Sequence, residues 1–249
     1  MKFFVPFNLA LGVVSLISTL ARAQGADELG SFQQRGQHDS DQDSAIEARF
    51  GPYRPNVDDD VTGAPFEDTF GTKNYYAIGL EYDWQIFRIP SFGTVGPGVG
   101  WSYVRFSAKA PRADGTGLSS QNTRLWVMPF WAVGVLRVDV LARDFQIPFV
   151  PYGKLGFTYA LWSCNTGDSR CRSADGRLGR GSETGYQYAL GLMLLLDWLD
   201  PESAREMDNS VGVNNSYFFG EWYGSDVNSF GSGMQVGTNT WTLGLAFEF

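Results

Sequence analysis

Ten charged residues set the chemical question: Glu47, Arg49, Glu81, Asp83, Arg137, Asp139, Lys154, Asp197, Glu221 and Glu248. Each occupies one phase of a segment whose other phase is largely apolar. On an extended strand, residues two apart share a face, so such spacing gathers charges on one side. Clustered carboxylates can move protons when their environments split their pKa values. Carboxylates interleaved with Arg49, Arg137 and Lys154 can instead form a paired polar core, the only tolerable state for buried charge. Both chemistries remain open at this level, because carboxylates outnumber cations in the set.

Other chemistry has little support. General-base catalysis by histidine would have to use His38, the single histidine, which lies in a polar stretch outside every patterned segment. No GxSxG motif, glycine-rich phosphate loop or zinc spacing occurs. Asp58, Asp59, Asp60, Glu67 and Asp68 form an acidic run that could supply a carboxylate dyad or bind divalent cations. Acidic runs are more often solvated surface. "DSDQDS" (Asp39 to Ser44) resembles part of a calcium loop but lacks the glycine and closing glutamate at the right spacing. The expectation is therefore no catalytic residues, no metal and no cofactor.

Cys164 and Cys171 are the two cysteines. In an exported loop they suit a short disulfide, worth ~2–3 kcal/mol if it closes without strain. A metal pair is the rival reading, and no histidine accompanies it.

The elements that must carry these residues are strands. Period-two alternation runs through 45–53, 74–87, 95–106, 124–141, 149–162, 185–198, 215–224 and the final stretch 240–249. In 74–87, Tyr76, Ile78, Leu80, Tyr82, Trp84 and Ile86 oppose Ala77, Gly79, Glu81, Asp83 and Gln85. In 185–198, Tyr186 to Trp198 alternate with Gln187, Ala189, Gly191 and Asp197. Several segments reach the length of a tilted bilayer crossing. Aromatics near both ends of a strand with aliphatics between, as in Tyr76/Trp84 and Tyr186/Trp198, form the girdles of a lipid-facing sheet. The expected fold is all-β: an eight-stranded antiparallel up-and-down transmembrane β-barrel with one short periplasmic helix. The lumen would then receive the ten charged residues as a plug. Trp131, Tyr152 and Trp162 should point inward beside them.

Connection lengths fit that topology. Residues 54–73, 107–123, 163–184 and 225–238 are long, polar and expected outside; 88–94 and 142–148 are short and expected inside. In 199–214, Asp200 can cap a helix begun by Pro201, giving the periplasmic helix. The N-terminus has Lys2, an apolar run from Phe3 to Leu20 and "ARA" before Gln24, which reads as a secretory signal peptide over 1–23. Residues 24–44 then form a polar lead-in, and 45–249 the barrel. Net charge of −8 with no basic stripe argues against nucleic acid as a partner.

"IEARFGPYRPNVD" (Ile46 to Asp58), "IPFVPYGKLG" (Ile147 to Gly156), "LLLDWLDPESAREMD" (Leu194 to Asp208) and the final "TWTLGLAFEF" resemble a group of small outer-membrane β-barrel proteins from myxobacteria and their relatives. The resemblance covers about 45 to 249. It implies a location in the outer membrane and this architecture, and carries over no catalytic or binding residue. The last strand also resembles the signal read by the barrel-assembly machinery, with Trp241, Leu243, Leu245, Phe247 and Phe249 in its apolar phase. Expected partners are outer-membrane lipids, lipopolysaccharide and that machinery. The leading expectation is a non-enzymatic barrel that is structural or interacts through its outer loops; the alternative is a narrow channel.

Overall fold

The computed structural model describes residues 43–111, 117–145, 147–172, 176, 178–197, 206–207 and 210–249. The expected signal peptide, nearly all of the lead-in and the helix start at Asp200–Pro201 lie outside these described residues.

Eight long strands follow one another: β1 (Ser44–Tyr53), β2 (Tyr75–Trp84), β3 (Gly93–Pro111), β4 (Leu118–Arg137), β5 (Phe149–Thr166), β6 (Arg180–Leu195), β7 (Asn215–Val227) and β8 (Asn239–Glu248). Each pairs antiparallel with its sequence neighbours. The sheet closes where β8 meets β1, in register from Ala45 opposite Glu248 to Phe50 opposite Leu243. Closure leaves no unpaired edge, which a bilayer would penalise by several kcal/mol per orphaned backbone group. The fold is the expected eight-stranded barrel.

One helix, α1 (Pro65–Phe70), lies between β1 and β2. A second, α2 (Val140–Phe145), connects β4 to β5. Residues 142–148 were expected to be a short connection, and it is short, but α2 takes up its first part and ends the strand expected over 124–141 at Arg137. Arg143 binds Asp139 at 3.1 Å, an i,i+4 pair that favours a helical turn here, and also meets its neighbour Asp144 at 3.0 Å.

The outward phase forms an apolar belt. Leu155, Leu190 and Phe157 are 67%, 67% and 72% exposed. A continuous belt of such residues is far larger than the apolar patches of water-soluble surfaces, and it is the surface that hydrocarbon requires. Tyr76, Trp101, Tyr159, Tyr186, Trp222 and Trp241 stand outward on it. Within the assembly pattern, Trp241, Leu243 and Leu245 are exposed, while Phe247 and Phe249 are half-buried.

The hydrophobic phase inverts at the end of the barrel away from the termini. Residues 107–123 and 163–184 were expected to be loops, but β3 to β6 extend into them as ladders. Along this extension Val104 and Phe106 of β3, Leu125 and Val127 of β4 and Ala160 of β5 face inward and are buried. Arg105, Ser107 and Arg124 face outward. Here the barrel has an apolar inside and a polar outside, the pattern of a sheet standing in water. Phe66 and Phe70 of α1 dock into that apolar interior. Phe106 receives the rings of Tyr75 at 4.8 Å, Phe66 at 5.1 Å and Phe70 at 5.9 Å. Asp58 fixes the helix by accepting from the Phe66 and Glu67 N–H groups at 2.7 and 3.1 Å.

At the same end, the disulfide Cys164–Cys171 closes the tip after β5, with Cα atoms 5.3 Å apart. Its short Ser169–Arg170 strand pairs back on Asn165 and Thr166. Among the described residues, eight strands build the barrel wall.

Phe106→Ala should destabilise the folded barrel by about 3–5 kcal/mol, because its fully buried ring is the common contact of α1, β1 and β2. Equilibrium urea unfolding in lipid vesicles measures this. A loss below about 1 kcal/mol would mean that the outer core is not packed.

Candidate functional site

The inward phase nearer the termini holds a compact network of three cations and five carboxylates. Its geometry follows from strand parity. Glu47 and Arg49 project from β1, Glu81 and Asp83 from β2, Arg137 from β4, Lys154 from β5, Glu221 from β7 and Glu248 from β8. All eight are buried.

Arg137 is the hub on one side. Its Nη2 donates to Asp83 Oδ2 at 2.6 Å and to Glu47 Oε1 at 3.0 Å, and its Nη1 to Glu248 Oε1 at 3.2 Å. Lys154 Nζ donates to Glu47 Oε2 at 2.6 Å and also to Glu81. Arg49 donates to Glu81 Oε2 at 2.5 Å and pairs with Glu221. Glu47 and Glu81 therefore each bridge two cations, and the pairs join into one lattice across six strands. In a low-dielectric interior a lone charge would cost several kcal/mol, so this lattice is the condition for burying any of its members.

Neutral donors complete it. Trp131 Nε1–H donates to Glu81 at 2.5 Å, and the Tyr152 hydroxyl to Glu221 at 2.9 Å. Glu248 also accepts from Gln85 at 2.7 Å, Tyr217 at 2.9 Å and Asn215 at 3.2 Å. The Arg49 guanidinium lies 5.3 Å from the Trp131 ring centre, and Lys154 Nζ 5.1 Å from that of Tyr152. Small residues make room for these groups. A Cβ on Gly100 would stand 2.6 Å from the Trp131 ring, and one on Gly98 would overlap the Asp83 carboxylate.

Two of the ten predicted residues do not join. β4 ends at Arg137, and the chain turns before Asp139, which pairs at the rim with Arg88 at 3.0 Å and with Arg143. The alternation in the sequence runs through to residue 140, yet α2 breaks it; this corrects the placement of Asp139 in the lumen. Asp197 lies in the turn after β6, half-buried, and accepts from the Ser216 N–H at 3.1 Å. Burial raises its pKa above the ordinary aspartate value.

Pattern reading put Gln85 in the phase of Glu81 and Asp83 but did not single out Gln85, Tyr217 or Asn215 as network members, because none carries a charge. It also passed over the apolar layer above the network. "VRFSAK" (Val104 to Lys109) carried the signal: alternation continues there with the apolar residues switched to the inward phase.

Oxygens of Glu47, Glu81 and Asp83 lie within 4.8 Å of one another. Arg137 and Lys154 already occupy the space between them, so the cluster works as an ion-pair lattice. The arrangement ties six strands together through paired charge.

No protein-family model matches the chain, and no curated protein sequence does. Among solved structures the chain is similar to Ail, the attachment invasion locus protein of Yersinia pestis, solved with the heparin analogue sucrose octasulfate. That likeness has 17% identity and a TM-score of 0.44, and covers 84% of this chain and 99% of the other. It is also similar to Neisserial surface protein A, with 12% identity, a TM-score of 0.43 and coverage of 83% and 96%. The outer membrane protein OprG from Pseudomonas aeruginosa shows 13% identity, a TM-score of 0.46 and coverage of 84% and 96%.

Removing Glu81 takes one of its two carboxylates from Lys154 and one from Arg49, so Glu81→Ala should cost about 3–5 kcal/mol of folding stability. Asp139→Ala, at the solvated rim, should stay within about 0.5 kcal/mol of the parent. Urea unfolding in vesicles distinguishes the two; equal effects would overturn the lattice as a structural unit.

Proposed function

We propose that this chain is an integral outer-membrane β-barrel without enzymatic activity, sealed through its lumen and acting as a wall component or through its outward loops. One observation carries the reading: the lumen is filled twice over, by the ion-pair lattice toward the terminal end and by the aromatic core under α1 toward the other. An eight-stranded barrel is only wide enough for side chains to fill, so two filled layers leave no aqueous route. The expected signal peptide, the alternating apolar phase of β8 and the resemblance to the myxobacterial barrels support export and assembly in the outer membrane. With the termini in the periplasm, α1 and the disulfide-closed tip face outside.

The second reading, a narrow channel, draws on the carboxylates that outnumber cations in the lattice, five to three. A cation path would use that surplus.

Single-channel recording on the mature protein from Gln24 in planar bilayers separates the readings. Wild type should give no discrete steps. Steps whose cation selectivity shifts in the Arg137→Ala/Lys154→Ala variant would overturn the sealed barrel in favour of the channel.

A further inference from the structure

We infer that the outward face of the β3–β6 extension is a docking ridge for phosphorylated glycolipid head groups of the outer leaflet, an inference that rests on the outer-membrane reading above.

Register places the cations together. Arg105 of β3 pairs with Trp126 of β4, Trp126 with Ser163 of β5, and Ser163 with Arg180 of β6. Directly paired residues point to the same side of a sheet, so Arg105, Trp126 and Arg180 stand in one outward row. In the next row Arg124 pairs with Asn165, which pairs in turn with Arg170 of the disulfide-closed tip. Lys109 follows on β3 opposite Asn122. Arg105, Lys109, Arg124, Arg170 and Arg180 are all exposed.

None of these five has a carboxylate partner among the described residues, in a protein with a net charge of −8. Six cations elsewhere are matched, since Arg49, Arg54, Arg88, Arg137, Arg143 and Lys154 each hold at least one carboxylate; Lys73 and Arg172 hold none among the described residues. Glu183, the acid nearest Arg180 on β6, is buried and accepts from Ser229 at 2.5 Å and Trp162 at 3.3 Å. Among the described residues the ridge therefore presents clustered positive charge that no ion pair neutralises.

Its position selects the anion. Four residues along each strand from Arg105, Trp126 and Ser163 lies the belt row Trp101–Phe130–Tyr159. That distance is about 13 Å along the strands, or roughly 10 Å in height at the usual tilt of barrel strands. The ridge thus begins where hydrocarbon gives way to head groups, with Trp126 as an amphipathic anchor within its first row. Guanidinium groups grip phosphate through two parallel donors. The platform is rigid, because Val104, Phe106, Leu125 and Val127 pack behind it and the disulfide holds the Arg170 tip.

The test uses the mature chain refolded into phosphatidylcholine vesicles that carry increasing fractions of bisphosphorylated lipid A or its dephosphorylated form, with the urea unfolding midpoint as readout. Wild type should gain stability with the bisphosphorylated lipid, little with the dephosphorylated one, and less as salt rises. An Arg105→Gln/Arg124→Gln/Arg180→Gln variant should need roughly a hundred-fold more lipid A for the same shift. Arg88→Gln/Arg143→Gln, at the opposite end, should behave as wild type. A ridge variant indistinguishable from wild type, or equal response to both lipids, would overturn the inference. So would ridge-dependent binding of soluble heparin without any response to lipid A. A wild type that fails to insert into plain phosphatidylcholine vesicles would instead sink the membrane-barrel reading itself, and this inference with it.

Discussion

Everything in this molecule depends on the ladder that joins β8 to β1. Without it, two strands would present rows of unpaired N–H and C=O groups to hydrocarbon, where no water can satisfy them. With it, every strand has two neighbours and the sheet has a definite inside and outside. Period-two alternation then sorts each side chain to lipid or lumen with no further instruction.

Closure at eight strands brings a second constraint. The interior is too narrow to hold bulk water around a charge, so any ionised group placed there must find its partners among other side chains. Arg137 answers with three carboxylates, and Glu47 and Glu81 each answer with two cations. Gly98 and Gly100 belong to the same solution, since their missing side chains are the volume that Asp83 and Trp131 occupy. The lattice is structural by necessity, whatever else it does.

The phase inversion above the belt follows from the change of solvent along each strand. Where lipid surrounds the barrel, the apolar phase faces out and the polar phase is confined. Beyond the belt, water surrounds it, so Arg105 and Arg124 face out while Val104, Phe106, Leu125 and Val127 fill the centre together with α1. One continuous strand thus obeys both the membrane rule and the soluble rule, and the row of Arg105 and Trp126 marks the boundary.

Strand number, order and the parity of nearly every residue were legible in the sequence, because the repeat of a pleated strand is local and needs no partner to be read. Hence Glu47, Arg49, Glu81, Asp83, Arg137, Lys154, Glu221 and Glu248 could be assigned to one interior from spacing alone. Parity does not say where a strand stops. Asp139 kept the right spacing, but the backbone turned into α2 first, and the strands of β3 to β6 ran on through stretches whose polar composition suggested loops. Nor does it say which carboxylate meets which cation. That pairing depends on the stagger between strands up to two hundred residues apart in sequence, and the stagger is decided only when the barrel closes.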